Sequence, residues 1–371
     1  MPRVGDIVAQ RGARLKSLLD IEQPILGGPM AGVTTPALVA AVGEAGGLGL
    51  LGAGMMQPAA IEQAIAQTRA LTRKPFGINL FIAPQPQADA AQVARMLAKL
   101  APYCAELGLP PPEVPARCAP DFAAQFDAVL EARLPVFSFT FGLLDRARLA
   151  ALHARGTFVI GTASCVAEAK LLAELGCDAV VAQGAETGGH RASFAVPFDE
   201  GQIGLFALLP QVAAAVEIPV IAAGSVMSGA QIAAALLLGA SGVQLGSALL
   251  ATPECGTSPA YKAALAQATD TATQVTRSFS GRPARGLRNR FMQEIGEADI
   301  PDYPIQNALT APLRAAANAQ GRAEFVSPWA GQGAALACAE PTAAVMSRLI
   351  EEFDALVSEN PWKPSAPSSG T

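Results

Sequence analysis

The sequence predicts a (β/α)8 barrel with a small, mainly helical cap inserted after the eighth strand. Three observations predict it: eight short apolar runs bounded by Gly or Pro, helical stretches between them, and residues suited to binding chemistry where the runs end. A doubly wound open sheet is the competing arrangement, but eight regular units with polar residues at strand ends fit the barrel better. The 371 residues suit a barrel of about 250 residues with one sizeable insertion.

The runs come in order. They are PILGGPM from Pro24, GLGLLGAG from Gly47, PFGINLF from Pro75, PVFSFTFG from Pro135, FVIGTAS from Phe158, AVVAQG from Ala179, PVIAAGS from Pro219 and GVQLGS from Gly242. Between them lie helical stretches such as TPALVAAVGEAG and PAAIEQAIAQTRAL, several opened by Ser, Thr or Pro and closed by Gly. The connection from Ile82 to Leu134 holds the Pro-rich segments APQPQA and LPPPEVPARCAP and reads as an irregular loop with a helix or two. After the eighth run the pattern turns polar, from about Cys255 to Phe325, before an apolar helix resumes near Pro341. Residues 1–254 and 326–359 are therefore expected to form the barrel, 255–325 the cap, and the Pro/Ser-rich 360–371 a frayed tail.

Composition narrows the function classes. Hydrophobic residues make up 51% and charged residues 15%, as in a tightly packed globular chain. A net charge of −5, aromatics at 5% and no long basic run argue against nucleic acid as a partner. The six cysteines show no CxxC or Cys/His pairing, so neither a metal site nor a disulfide framework is expected, and reduced thiols in the cytoplasm are. The first residues lack the apolar core of a secretory signal, and Pro210, Gln211, Glu217 and Pro219 interrupt the most apolar region, which excludes a membrane span there. A small-molecule partner is expected, with the chain a monomer or homodimer.

The strand ends carry the chemistry. In barrels of this kind the loops after strands seven and eight commonly bind phosphate through backbone N–H groups. Here those loops are AAGSVMSG (Ala222 to Gly229) and QLGSALL (Gln244 to Leu250), each with glycine and serine where a main chain must approach an anion. The GxGxxG at Gly47 to Gly52 fails as a dinucleotide motif, because a helix precedes it and a strand runs through it. Three amides, Asn79, Gln183 and Gln244, sit at strand ends, where they either satisfy local backbone or read the edge of a heterocycle such as a flavin. His190, one of two histidines in the chain, lies in the glycine-rich AQGAETGGHRASF after the sixth run; His153, near a helix end before Gly156, reads as an ordinary capping choice.

The blocks GGPMAGVTTPALVAAVGEAGGLG, FGINLF, GAETGGHR and PVIAAGSVMSGAQIAAALLLGASGVQLGSALL, in that order, resemble the class I nitronate monooxygenases, formerly 2-nitropropane dioxygenases. The resemblance spans roughly Pro24 to Thr252 and resumes with AGQG at Ala330. It implies a TIM barrel with non-covalent FMN that oxidises alkyl nitronates with O2 to a carbonyl compound and nitrite. The flavin contacts it implies are Gly28, Pro29 and Met30 under the ring, then Asn79, Gln183, Gly188, Gly224, Ser225, and Gln244, Leu245, Gly246 and Ser247. The family usually shows glycine at the position of Ser225 and threonine at that of Ser247.

His190 corresponds to the family histidine, expected to take a proton from a neutral nitroalkane. Glu186 either orients that ring or is solvated, and Arg191 either attracts an anionic nitronate or pairs with Glu186. In the cap, Tyr261 and Tyr303 are candidates for closing over the substrate. Two rival readings stand beside this one: an NAD(P)H-dependent FMN reductase of quinones or enoyl thioesters on the same fold, and a flavin-binding protein without catalysis.

Overall fold

The computed structural model describes residues 4–83 and 89–358. Most of APQPQA and the terminal segment read as a tail lie outside the described residues. Eleven strands are present in chain order among them: β1 (Ile25–Gly27), β2 (Gly49–Gly52), β3 (Phe76–Phe81), β4 (Val136–Thr140), β5 (Phe158–Ala163), β6 (Ala179–Gln183), β7 (Gly189–His190), β8 (Val220–Ala223), β9 (Gly242–Leu245), β10 (Thr273–Thr276) and β11 (Ala284–Leu287).

Eight of them pair in parallel in the order β1-β9-β8-β6-β5-β4-β3-β2. The bridge Leu26↔Leu48 joins the two ends, with Gly27 N–H donating to Leu48 O at 2.8 Å. The sheet thus closes into the expected barrel, and every one of the eight apolar runs supplies one stave.

Period-two pleating sorts each stave into two faces. Leu26, Leu48, Leu50, Val136, Ile160, Val181 and Ile221 fill the lumen, while Ile25, Leu51, Phe137, Val159, Val180 and Val243 pack outward against helices. The helix Val4–Leu19 sends Leu15 and Leu19 into the lumen cluster and so plugs the amino-terminal end of the barrel. Helix starts follow the side chains present: Thr35 accepts from Leu38 N–H ahead of Pro36, and Ser228 caps Gly229–Leu237. Between β3 and β4 run the helices Ala90–Glu106 and Phe122–Ala132.

Residues between β9 and the final helix, Thr342–Ser358, contain the helices Pro259–Ala266, Arg290–Ile295 and Ile305–Gln320 and also a hairpin the sequence reading did not foresee. There β10 pairs antiparallel with β11, and β11 pairs with β7, so that Ala284 lies opposite His190 and Arg285 opposite Gly189. The TQVT of β10 continues a polar, helix-like stretch, and only its β-branched residues hint at a strand. Among the described residues no helix is long and apolar enough to cross a membrane.

Candidate active site

At the carboxyl ends of the staves the lumen turns polar and opens into a cavity of about 450 Å³, within the usual range for small-molecule sites. The pleat decides which side chains reach it. Asn79 is level with Ser138 on β4, Gln183 with Ala223 on β8, and Gln244 with Leu26 on β1; all three amides line the cavity. Leu245 is one residue further along β9, so its side chain turns outward into the apolar layer beneath the helices. It does not line the cavity, although its carbonyl accepts from Gly28 N–H at 2.7 Å.

Three loops converge on one rim. Gly224 and Ser225 follow β8, Gly246 and Ser247 follow β9, and Gly331 to Gly333 come from the far side of the chain. Ser247 Oγ accepts from Gly331 N–H at 2.8 Å, and Ser225 Oγ accepts from Gly333 N–H at 3.0 Å while donating to Glu186 O. Ser225 adopts φ +50, a conformation that favours glycine, the residue the resemblance leads one to expect there. A Cβ on Gly188 would lie 2.5 Å from Gly331 N and 2.6 Å from Ala330 C. Only a glycine allows these backbones to meet.

His190 also lines the cavity and is half-buried. Its ring lies 5.4 to 6.4 Å, centroid to centroid, from those of Trp329, Phe141, Tyr303 and Phe81. Nε2 is 2.9 Å from Ser280 Oγ. Burial, with the charges of Arg282 and Arg314 added, pushes the imidazole pKa down to about 3. Arg282 packs 4.1 Å over the Phe141 ring, and Arg314 lines the cavity; each is drawn down to about 10 by burial and stays charged at neutral pH. Among the described residues no carboxylate lines this cavity. The wall therefore combines a neutral imidazole with net positive charge.

The structure brings most of the sequence-predicted residues together: Gly28, Pro29, Met30, Asn79, Gln183, Gly188, His190, Gly224, Ser225, Gln244, Gly246, Ser247 and Tyr261 all line the cavity. The contacts of several decide between the readings left open or depart from them. Gln183 Nε2 donates to His190 O at 3.0 Å and its Oε1 accepts from Ala192 N–H at 2.9 Å, so this amide clamps the His190 loop. Arg191 is buried and neither reaches the cavity nor pairs with Glu186; its guanidinium donates to the carbonyls of Gly184 and Gly201. Glu186 is half-buried and makes no bond to His190: its carboxylate accepts from Leu205 N–H at the start of the helix Leu205–Ala215. Tyr261 Oη donates to Trp329 O, which fixes the indole beside His190. Tyr303 does not line the cavity; its hydroxyl reaches Met55 Sδ while its ring edge packs on His190. Trp329, Phe141, Arg314 and Ser280 escaped the sequence reading. Of these only Trp329, a rare tryptophan directly before AGQG, carries a local signal.

One buried atom tests what could occupy the cavity. Asn79 Nδ2 donates to Ser138 Oγ at 2.8 Å and Thr140 Oγ1 at 3.3 Å, but its Oδ1 has no donor. A carbonyl left unpaired in a buried site is costly. A ring whose edge presents an N–H would satisfy it, and the glycines Gly188, Gly224 and Gly246 in the cavity lining suit the phosphate of the same ligand. The residues fit a flavin mononucleotide. A second cleft, of about 430 Å³, lies at the amino-terminal end among Asp20, His153 and Asp178. There His153 Nε2 meets Asp178 Oδ2 at 3.0 Å, far from the rim. Among the described residues no group of three or more His, Cys, Asp or Glu could hold a metal.

Known proteins are similar to this chain in sequence and fold. Residues 13–352 match the family described as nitronate monooxygenase. A probable nitronate monooxygenase of Staphylococcus aureus (strain Newman) is 41% identical over 347 residues, covering 93% of this chain and 98% of that protein. The crystal structure of a nitroalkane oxidase from Streptomyces ansochromogenes is similar at a TM-score of 0.85 and 41% identity, over 92% of this chain and 98% of that one. FabK from Thermotoga maritima is similar at 0.73 and 32%, over 93% and 97%. Extending over nearly the whole chain and taking in the barrel and both cavity walls, this likeness means that the chain belongs to the nitronate monooxygenase family of oxidoreductases.

Proposed function

We propose that the protein binds FMN and oxidises alkyl nitronates, and nitroalkanes once deprotonated, with molecular oxygen to a carbonyl compound and nitrite. The observation that carries this reading is a cavity that no carboxylate lines among the described residues, and whose lining joins a neutral imidazole, several glycines and the unpaired Asn79 Oδ1. Bound FMN would supply the electron-accepting ring through which electrons pass from nitronate to oxygen.

The chain's own part is binding, orientation and proton transfer. Asn79 Oδ1 would accept from the ring edge, and the Gly224-Ser225 and Gly246-Ser247 turns would hold the phosphate. His190 would take the proton from the carbon bearing the nitro group. The charges of Arg282 and Arg314 that make imidazolium unfavourable also stabilise the nitronate anion left behind. The aromatic rings of Phe81, Phe141 and Trp329 exclude water from the face where the substrate would lie.

The test is anaerobic. The yellow enzyme, mixed with a nitronate, is expected to bleach, and mixed with NADH it is expected not to; bleaching by NADH alone would establish a nicotinamide-dependent reductase instead. Denaturation is expected to release FMN, and release of FAD would refute the single-phosphate rim.

A further inference from the structure

We propose that Ser280 is a positioning residue for His190: its hydroxyl holds the imidazole as the Nε2–H tautomer and leaves Nδ1 as the basic nitrogen.

The proton count of one buried hydroxyl carries this. Ser280 is 1% exposed, and its Oγ has one proton to give and two lone pairs. The geometry gives it three neighbours: Arg282 O at 3.0 Å, Arg282 N–H at 3.3 Å and His190 Nε2 at 2.9 Å. The backbone N–H is a donor, so Oγ accepts there. Arg282 O accepts from no other group among the described residues, so the hydroxyl proton goes to it. Nε2 must then be the donor.

The opposite assignment strips Arg282 O of the one donor it has among the described residues and puts the ring proton on Nδ1. Among the described residues no group accepts from Nδ1, and Nδ1 is not among their sealed, unpartnered atoms. A proton there would be wasted; a lone pair there is available to a ligand in the cavity that His190 lines.

The surrounding structure fixes Ser280 as firmly as the ring. Ser280 N–H donates to Arg277 O at 3.2 Å, and Arg277 Nε donates to Gly281 O at 3.1 Å. The next strand, β11, pairs with the backbone of His190 itself, and Arg282 Nε donates to Arg191 O at 3.0 Å. Strand pairing sets where the histidine backbone lies, and Ser280 sets which nitrogen is bare. In the step this serves, the C–H proton passes to Nδ1 and its electron pair stays on the carbon as nitronate. Nε2–H remains bonded to Ser280 throughout.

The inference rests on the reading of His190 as a base, but the ring tautomer can be read without turnover. With only two histidines in the chain, the holoenzyme grown with [15N]histidine shows two rings, and His153→Gln assigns them. At neutral pH the His190 spectrum is expected to show a protonated, pyrrole-type Nε2 and a pyridine-type Nδ1; the reverse pattern overturns the proposal. Ser280→Ala is expected to lose that preference. It should also lower kcat on neutral nitroalkanes by about 10-fold or more, within the ~10²–10⁴ attributable to a positioned base, with a much smaller effect on preformed nitronates. Ser280→Ala that keeps the wild-type tautomer, or that loses both activities equally, refutes a positioning role. Should His190→Asn leave nitroalkane turnover intact, the base reading fails, while the tautomer assignment is still decided by the spectrum.

Discussion

At His190 two effects oppose each other, the intrinsic basicity of imidazole near pH 6.5 and the cost of charging it in a desolvated pocket beside two guanidinium groups. Desolvation wins, and the pKa falls to about 3. The sign matters for pH dependence. Catalysis by the base requires the neutral ring, which is present at essentially full occupancy down to about pH 5, so kcat/KM for a neutral nitroalkane should show no His190 inflection between about pH 8 and pH 5. An inflection near 6.5 that vanishes in His190→Asn would contradict this. The same depression costs stability: the unfolded chain takes up a proton that the folded one refuses, so folding weakens as the pH drops from about 6.5 towards 3. His190→Asn should lose roughly 10²–10⁴-fold on neutral nitroalkanes, largely keep activity on preformed nitronates, and retain wild-type flavin content. Equal loss on both substrate forms would point to substrate binding rather than proton transfer.

Among the elements, the loops show how little room the rim leaves. A methyl group on Gly188 would press into the backbone of Ala330 and Gly331, which has no flexible end to yield. Gly188→Ala should therefore cost about 1–3 kcal/mol, as overpacking does, and should release much of the flavin, measured as the absorbance ratio of bound flavin to protein. Neighbouring Gly189 has open space but φ +76; its strain is purely backbone, and Gly189→Ala should perturb β7 rather than the rim. Full flavin content in Gly188→Ala would mean that the 330–333 loop is not part of the cradle. The hairpin β10–β11 works at the same scale. By pairing with β7 it makes the segment after the barrel a structural partner of His190, not a detached cover.

For the whole molecule, stability and chemistry occupy opposite ends of one barrel. Leu15 is fully buried where the first helix plugs the amino-terminal end, against Gly242 and the lumen leucines. Leu15→Ala should destabilise by about 2–5 kcal/mol, the range for large-to-small core changes, seen as a lower melting temperature. Flavin content and kcat should hold at temperatures where the variant stays folded. If flavin were lost without a drop in stability, the two ends would be coupled through the lumen.

The information legible in the order of residues is local and periodic. Gly and Pro punctuation located eight staves, because a buried parallel strand is a short apolar run and its boundaries need turn-making residues. The same alternation put Asn79, Gln183 and Gln244 on the inward face, and it held the information that Leu245 faces out, one step of the pleat away. The rarity of histidine singled out His190. What these groups touch depends on the folded chain as a whole. Ser280 lies 90 positions from His190, and Gly331 lies 84 from Ser247. Arg191 spends its charge on two backbone carbonyls instead of on Glu186. Partners so far apart in the chain leave no spacing to read, since what brings them together is barrel closure and the docking of β11 on β7, and a pKa set by burial exists only once those surfaces have met.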